Sequence, residues 1–369
     1  MAGAVRAAAN QRGGWQRGMR AGGRPHEVVG LDAVDELAER AMRSGRRTGL
    51  VVGCLAGGEQ RVVGFGRVRT DAQDLPNGST IFEIGSVTKV FTGLLLADLV
   101  EQGVVGLDDP LAGHLPAWVR VPGRGGRQVT LGDLASHAGG LPRDPKGTLG
   151  RWLRDRRNPY AALSVEELYA GLARTRLRRR PGGRVKYSNL GAGLLGEALA
   201  RAAGQPYQEL VRGRICLPLG MPDTVVTPTG EQTARLATGH TRRGRPAPPF
   251  EIPALVGAGA LRSTATDMLC FLRANLDPAR TPLASQLERA QLPRLRAARR
   301  VEVGLGWLMV RLPAAAGPVL WHNGGTSGFR SFAAVARESG TAVVVLSNTA
   351  RSVDRLGLRL LKALSGAAG

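Results

Sequence analysis

Aromatic residues and lysine are scarce in this sequence of 369 residues. Phenylalanine, tryptophan and tyrosine make up 4% of it, and lysine contributes four of the 51 basic side chains. Against 29 acidic residues the basic excess gives a formal net charge of +22, which by itself would favour nucleic acid or an anionic membrane as a partner. The densest basic clusters, at 174–184 and 294–300, contain no aromatic residue on which a base could stack. We therefore expect solvated basic surfaces and no specific nucleic-acid partner, while a carboxylate-bearing substrate suits the charge.

Long apolar segments are also lacking. No run approaches the roughly 18 apolar residues that a membrane-spanning helix requires, so we expect no transmembrane anchor. Residues 1–28 are rich in Ala, Gly and Arg and lack the apolar core of a secretory signal, which predicts a disordered segment or an artefact of an upstream start codon. The sequence as it stands favours a cytoplasmic location, and an exported one if its N-terminus is mis-assigned.

Cysteine is too sparse to build a framework. Cys54, Cys216 and Cys270 are widely spaced and form neither a Cys-x-x-Cys nor a zinc-ligand pattern, which predicts buried, reduced thiols and no metal site. There is no Gly-rich phosphate loop of the Walker type, and we expect no cofactor.

The segment 82–97 contains candidate catalytic residues. In it, a turn with glycine is followed by an apolar run that favours a helix. It contains Ser86 and Lys89, which share a face of a helix because they are three residues apart. A serine hydroxyl needs a neighbouring base to become a nucleophile, and an amine beside it is such a base. About 0.15 Ser-x-x-Lys pairs are expected by chance in this composition, so the pair alone is also compatible with a helix cap and a surface lysine.

Two further motifs follow in the chain. Tyr187 and Asn189 form a Tyr-x-Asn between a Pro-Gly-Gly turn and an apolar helix, a pattern expected about 0.08 times by chance. His322, Asn323, Gly324 and Gly325 lie in a late segment rich in strand-forming residues. His137-Ala138-Gly139 also matches His-x-Gly, but it precedes the tyrosine, and we interpret His137 as bracing a loop.

These motifs, in this order, resemble the serine beta-lactamase and penicillin-binding-protein-like family, in its class C and family VIII esterase branch. The sibling class A enzymes carry the related pattern Ser-x-x-Lys, Ser-Asp-Asn and Lys-Thr-Gly. Further segments fit the family: 107–110, 134–142, 259–264 and 304–307. The similarity runs from about residue 45 to about residue 350, and it specifies the family far better than the substrate.

The resemblance implies acyl transfer through a covalent acyl-Ser86 intermediate. Ser86 would attack a carbonyl while Tyr187, its phenol held near deprotonation by Lys89, accepts the proton. Asn189 would orient Lys89 and bind the substrate, with Asn323 and Gly324 also lining the substrate site. The backbone N–H groups of Ser86 and Gly325 would form the oxyanion hole.

His322 would join Ser86, Lys89 and Tyr187 as a catalytic residue, but it departs from the class C pattern, because those enzymes carry a lysine at this place. A histidine is only fractionally charged near pH 7, so it would hold a substrate carboxylate more weakly and with more pH dependence. This favours a carboxylesterase or a D-Ala-D-Ala-type peptidase over a true beta-lactamase. A strand-end histidine bonded to a backbone carbonyl is the alternative role for His322.

Strand patterns at both ends enclose a mainly helical middle. Alternating or apolar runs predict strands at 49–56, 61–68, 305–312, 319–322, 329–336 and 342–346, and helices at 31–42, 94–102, 129–136, 164–174, 190–203 and 353–364. We expect an α/β (α+β) fold of the beta-lactamase/transpeptidase type, with an antiparallel sheet flanked by helices. Residues 29–85 and 300–369 would form the sheet lobe, and 86–299 a mainly helical lobe with loops at 141–160 and 218–256 bordering the site.

The sequence therefore predicts a serine hydrolase that acts on an amide, lactam or ester carbonyl of a small molecule or short peptide. A catalytically silent member that binds such a ligand and a basic nucleic-acid binder are the alternatives from other classes. The oligomeric state is left open.

Overall fold

The computed structural model describes residues 31–43, 45–71, 73–155, 157–312 and 317–366, and the side chains of Leu31, Asp32 and Arg154 are outside this description. The prediction of a disordered segment at 1–28 lies outside the described residues. Within them, no helix is long and apolar enough to cross a membrane. The cytoplasmic location stays a prediction.

Most strands lie near the beginning and the end of the described chain, and most helices lie between them. The strands are β1 (Gly49–Ala56), β2 (Glu59–Gly66), β3 (Phe82–Glu83), β4 (Arg262–Ser263), β5 (Leu295–Ala298), β6 (Val301–Val303), β7 (Leu308–Arg311), β8 (Pro318–Gly325), β9 (Arg330–Ala336) and β10 (Thr341–Ser347). The α-helices are α1 (Leu31–Arg43), α2 (Thr88–Glu101), α3 (Leu131–Ala135), α4 (Thr148–Arg154), α5 (Val165–Ala173), α6 (Asn189–Ala202), α7 (Tyr207–Val211), α8 (Gly230–Ala234), α9 (Val256–Gly259), α10 (Ala265–Leu276), α11 (Ala284–Gln291) and α12 (Asp354–Leu364).

Within the described ranges, eight strands form one antiparallel sheet in the order β2-β1-β10-β9-β8-β7-β6-β5, and β3 pairs separately with β4. Strands far apart in the sequence meet in this sheet, since Val52 of β1 lies opposite Val345 of β10. Both strands are buried along their whole length, which explains their almost unbroken apolar composition. The expected antiparallel sheet flanked by helices is thereby confirmed.

The two faces of the sheet support two hydrophobic cores. On β10, Val343 and Val345 pack with α1 and α12, whereas Val344 and Leu346 pack with the core that includes α2 and α10. This division follows from strand geometry, in which successive side chains point to opposite faces. Twelve of the fourteen residues of α2 are buried, so this helix is surrounded by protein, as its nearly continuous apolar sequence requires.

Local sequence signals are confirmed at several helix ends. Thr130 caps α3 and Ser164 caps α5, and the Ser164 cap forms the predicted capping box with Glu167. The segment 141–160, interpreted as a loop, contains α4. Cys54 and Cys216 are buried as expected, while Cys270 is partly exposed, and all three are free.

The boundary between the two proposed lobes is less sharp than the sequence suggests. Residues 295–298, assigned to the helical part, form the edge strand β5 of the large sheet. Helix α10, also assigned to the helical part, contacts β1, β9 and β10. The division into lobes therefore stays a prediction.

Candidate active site

Ser86 lies in a short 3₁₀ turn, Gly85–Val87, that leads directly into α2. Gly85 has φ = +51°, and a Cβ there would lie 2.7 Å from the backbone nitrogen of Gly325, so both the conformation and the close approach need glycine. Ser86 is partly exposed within a segment whose neighbours, from Ile81 to Val90, are buried. The turn thus presents one hydroxyl to solvent at the start of a buried helix.

Lys89 lies one turn after Ser86, as its spacing predicts, and its Nζ is 3.1 Å from Ser86 Oγ. The same nitrogen donates to Asn189 Oδ1 at 3.0 Å and to the carbonyl oxygen of Ala258 at 2.6 Å. Both of these oxygens can only accept a hydrogen bond. A neutral amine would therefore use its two N–H groups on them and keep its lone pair for the hydroxyl groups nearby.

The environment of Lys89 favours that neutral form. The side chain is buried, and burial lowers its pKa from the usual 10.5, although the charge and hydrogen bond of Tyr187 act in the opposite direction. Because desolvation disfavours the ammonium, Lys89 gives up its proton more readily than a lysine in water. The arrangement is that of a buried amine able to take the proton of Ser86.

Tyr187 directly precedes Ser188, the N-cap of α6. The Lys89 Nζ is 4.9 Å from the centre of the Tyr187 ring, and the His137 ring lies 4.6 Å from it, centre to centre. The backbone N–H of Ser188 donates to His137 Nδ1 at 3.3 Å. His137 therefore does brace a loop, as interpreted from the sequence, and the loop it braces is the one that carries Tyr187.

Asn189 is held from the other side by a residue that no sequence motif indicates. Its Nδ2 donates to Asp144 Oδ1 at 2.8 Å, and the same oxygen accepts a hydrogen bond from the hydroxyl of Tyr160 at 2.6 Å. A carboxylate accepts hydrogen bonds only, so Asp144 fixes which end of the Asn189 amide faces Lys89. Asp144 and Tyr160 both belong to the segment expected to border the site.

Replacing Asp144 with asparagine is expected to lower the acylation rate of Ser86 by about tenfold while the protein remains folded. The new amide can offer either its oxygen or its nitrogen, so the Asn189 oxygen would no longer be directed at Lys89 alone. Acylation by a penicillin, followed by intact mass spectrometry over a range of pH, measures the effect. Asp74→Asn, at an exposed position outside the site, is the matched control. Equal rates and pH profiles for the two variants would contradict this role.

The end of β8 closes the other side of the site. The absence of a side chain on Gly324 allows the carbonyl oxygen of Ile84, two residues before Ser86, to lie directly against its Cα. Ser331 Oγ donates to that same carbonyl oxygen at 2.7 Å. These contacts bring the backbone of Gly325 beside the turn of Ser86, the placement that an oxyanion hole built from their N–H groups would need.

His322 is buried in β8, with its ring 6.3 Å from that of Tyr187, centre to centre. Its Nδ1 bonds the carbonyl oxygen of Asn323 at 2.7 Å, and among the described residues its Nε2 has no partner. Burial, with a smaller contribution from the charge of Lys89, lowers the pKa of His322 to about 3. The fractional charge expected near pH 7 is therefore wrong, because the buried imidazole is neutral. Its backbone contact is the one foreseen in the alternative role.

His137 and His322 are expected to make the fold less stable as the pH falls. Burial lowers the pKa of each to about 3, against about 6.5 when unfolded. Between these values the unfolded chain binds protons that the folded chain does not, so the free energy of unfolding falls with decreasing pH. Each histidine contributes at most about 1.4 kcal/mol per pH unit. Urea unfolding at several pH values gives the free energy of unfolding as a function of pH. This free energy should change less with pH in His322→Asn and in His137→Asn than in wild type. The same pH dependence in wild type and both variants would contradict the prediction.

Asn323 does not join the site, which corrects its predicted role with substrate. Its Nδ2 donates to Asp354 Oδ2 of α12 at 3.0 Å. Successive residues of a strand point to opposite faces, so a strand that turns His322 toward Tyr187 turns Asn323 away from it. The structure thus brings together Ser86, Lys89, Tyr187, Asn189, His322, Gly324 and Gly325, and it adds Asp144, His137 and Ala258.

Comparison with known proteins shows the family of the chain. A family model described as Beta-lactamase matches residues 34–367. The chain is 30% identical over 316 residues to the D-alanyl-D-alanine-carboxypeptidase/endopeptidase AmpH of Escherichia coli K12, covering 82% of this chain and 80% of the relative. It is 24% identical over 350 residues to a Beta-lactamase of Pseudomonas fluorescens, covering 85% and 92%.

Solved structures give the same result. The Beta-lactamase/D-alanine carboxypeptidase from Yersinia pestis complexed with citrate matches with a TM-score of 0.79 at 26% identity, covering 93% of this chain and 99% of that one. The corresponding protein from Pseudomonas syringae, at 21% identity and a TM-score of 0.79, covers 92% and 99% and supports the fold. The expected resemblance is confirmed, and the chain is a serine hydrolase that belongs to the Beta-lactamase family.

Proposed function

We propose that this hydrolase cleaves the terminal amide of short peptides of the acyl-D-Ala-D-Ala type through an acyl-Ser86 intermediate. The observation that carries the mechanism is the contact of 3.1 Å between Lys89 Nζ and Ser86 Oγ, made by a lysine whose pKa burial lowers. The AmpH relative, named as a carboxypeptidase and endopeptidase, supports the choice of a peptide substrate.

In the first half of the reaction Ser86 Oγ attacks the peptide carbonyl while its proton passes to the pair formed by Lys89 and Tyr187. The carbonyl oxygen becomes an oxyanion, which the N–H groups of Ser86 and Gly325 stabilise. The pair then protonates the leaving amine, the C–N bond breaks, and the acyl group remains on Ser86. In the second half water attacks the ester with the same groups as base and acid, which releases the acid and restores Ser86.

The positive charge at the site suits a substrate that ends in a carboxylate. Neutral His322 supplies no cation, but the guanidinium of Arg143 lies 5.5 Å from the centre of the Tyr187 ring and its side chain is 69% exposed. A second guanidinium, that of Arg330, lies against Gly325 and donates to the carbonyl oxygens of Thr326 and Phe329 at 2.6 Å each. Arg143 is the more exposed of the two, and its ion pair with Asp144 Oδ2, at 3.9 Å, is longer than a hydrogen bond, so its guanidinium is the better candidate to bind a terminal carboxylate. We therefore assign this role to Arg143.

Hydrolysis of beta-lactams is the second candidate, favoured by the relative named Beta-lactamase. A lactam acylates Ser86 by the same steps, and the two activities differ in how fast water releases the acyl group. Small esters, the third class expected from the sequence, have no comparable support among the relatives reported above.

The test combines labelling with substrate profiling. Wild-type protein incubated with a penicillin should gain one acyl adduct by intact mass, located on Ser86, and Ser86→Ala should gain none. Rates on an acylated D-Ala-D-Ala peptide, a chromogenic cephalosporin and a short-chain nitrophenyl ester should rank in that order. Folded wild-type protein that forms no adduct would overturn the mechanism, and a faster rate on the cephalosporin would overturn the choice of substrate.

A further inference from the structure

Two adjoining clefts on the surface are lined mainly by arginine. Their volumes are about 440 and 560 Å³, and Arg46, Arg47, Arg242 and Arg351 line both of them. The first also contains Arg40, Arg355 and Arg359, and the second Arg67 and Arg243. Among the described residues no carboxylate lines either cleft. We call the two cavities lined by these nine arginines the arginine clefts.

The clefts are built on a buried scaffold where three distant segments meet. Thr349, which is buried, pairs with His240 in a parallel bridge and accepts a hydrogen bond from the backbone N–H of Thr48 at 2.9 Å. Arg47 donates to the carbonyl oxygens of Arg351 and Ser352 at 2.7 and 2.6 Å. The positions of the shared arginines therefore follow from backbone contacts, which keep these like charges together without an anion.

Of the nine arginines, Arg40 pairs with Glu36 at 2.6 Å, but the shared arginines lack such compensation. Within the described part of the chain, Arg46, Arg242 and Arg351 make no ion pair, and Arg351 Nε is buried without a hydrogen-bond partner. Burial, and then the charge of Arg351, lowers the pKa of Arg47. Like charges gathered in a concave surface repel one another and focus a positive potential on the space between them. A bound anion would relieve that repulsion.

We propose that the arginine clefts bind a compact anion with at least two phosphate or carboxylate groups. Two clefts that share four arginines offer two neighbouring places for anionic groups, and guanidinium groups bind both kinds through paired hydrogen bonds. In the part of the chain that the structure describes, no aromatic residue lines either cleft, so the clefts do not offer the stacking contacts that a single-stranded nucleic acid uses. The proposal does not rest on the hydrolase mechanism or on its substrate.

Binding of inorganic tripolyphosphate, measured by isothermal titration calorimetry at an ionic strength of about 0.15 M, tests the proposal. The double variant Arg46→Gln/Arg242→Gln removes two shared arginines and leaves in place Arg47, which holds the scaffold together. We expect it to bind tripolyphosphate at least about tenfold more weakly than wild type. Orthophosphate, with a single group, should bind the wild type at least about tenfold more weakly than tripolyphosphate does.

The control removes the same charge elsewhere. Arg299→Gln/Arg300→Gln changes two exposed residues between β5 and β6, at the edge of the sheet opposite to β2, and should stay within about twofold of wild type. An equal loss in both double variants would show attraction to the net charge alone and overturn the proposal. Three other results would also overturn the proposal. These are equal affinity of the wild type for orthophosphate and tripolyphosphate, no binding of tripolyphosphate, and displacement of bound tripolyphosphate by duplex DNA at equal phosphate concentration.

Discussion

Replacing Lys89 with methionine is expected to slow acylation of Ser86 by about 10³-fold while the protein stays folded. Methionine matches the length and apolar character of the lysine stem, so the buried position is filled and no charge is left in the core. What disappears is the amine that faces Ser86 Oγ at 3.1 Å and lies 4.9 Å from the centre of the Tyr187 ring. A positioned general base contributes a factor of about 10² to 10⁴ to the rate, and the Lys89→Met variant lacks the amine that we propose for this role.

Single-turnover acylation by a penicillin, followed by mass spectrometry, measures this loss. Lys362→Met, which removes an exposed lysine of α12, is the matched control and should acylate at the wild-type rate. Because burial lowers the pKa of Lys89, the wild-type rate should also rise with pH and level off below the usual pKa of lysine. Retention of a tenth or more of the wild-type rate in Lys89→Met would assign the base to another group.

Local rules explain why part of this site could be predicted from the sequence. The separation of Ser86 and Lys89 by three residues fixes their distance once a helix begins near Ser86, because both then belong to one turn. Thr130 and Ser164 mark helix starts because a side-chain oxygen accepts a free backbone N–H wherever the chain enters a helix. Each of these inferences depends on contacts within a few residues, and the structure confirms them.

The parts that the sequence did not reveal depend on distant contacts. Asp144 is one acidic residue among many until the chain folds and places it 2.8 Å from the Nδ2 of Asn189, 45 residues away. The neutral state of His322 depends on burial by other segments, which a motif does not contain. Strand β5 has only four residues, too few for a clear strand pattern, so its place at the sheet edge is decided by pairing with β6.

Asn323 shows a third kind of limit. It lies within the motif that carries His322 and Gly325, so its role with substrate was inferred by proximity in sequence. A strand separates neighbours in sequence onto opposite faces, and the hydrogen bond to Asp354 shows which face Asn323 takes. The sequence could have indicated this only if one face of β8 were clearly more polar than the other. In the run Trp321-His322-Asn323-Gly324 polar and apolar residues do not alternate, so the pattern does not distinguish the two faces.

Replacing Gly324 with alanine is expected to lower the acylation rate by about 10²-fold and to destabilise the fold by roughly 1–3 kcal/mol. A Cβ at this position would overlap the carbonyl oxygen of Ile84, a backbone atom that cannot rotate away as a side chain could. Either β8 or the segment before Ser86 must move. Each of them positions one of the two N–H groups of the proposed oxyanion hole, that of Gly325 or that of Ser86.

The two expected effects have separate measurements, since acylation reports the geometry of the site and urea unfolding reports the stability of the fold. Gly230→Ala, at a glycine with no atom near the position of a new Cβ, is the control and should acylate like wild type and lose no stability. A Gly324→Ala protein that unfolds like wild type and acylates within about threefold of its rate would show that the contact between Ile84 and β8 does not hold Ser86 and Gly325 in register.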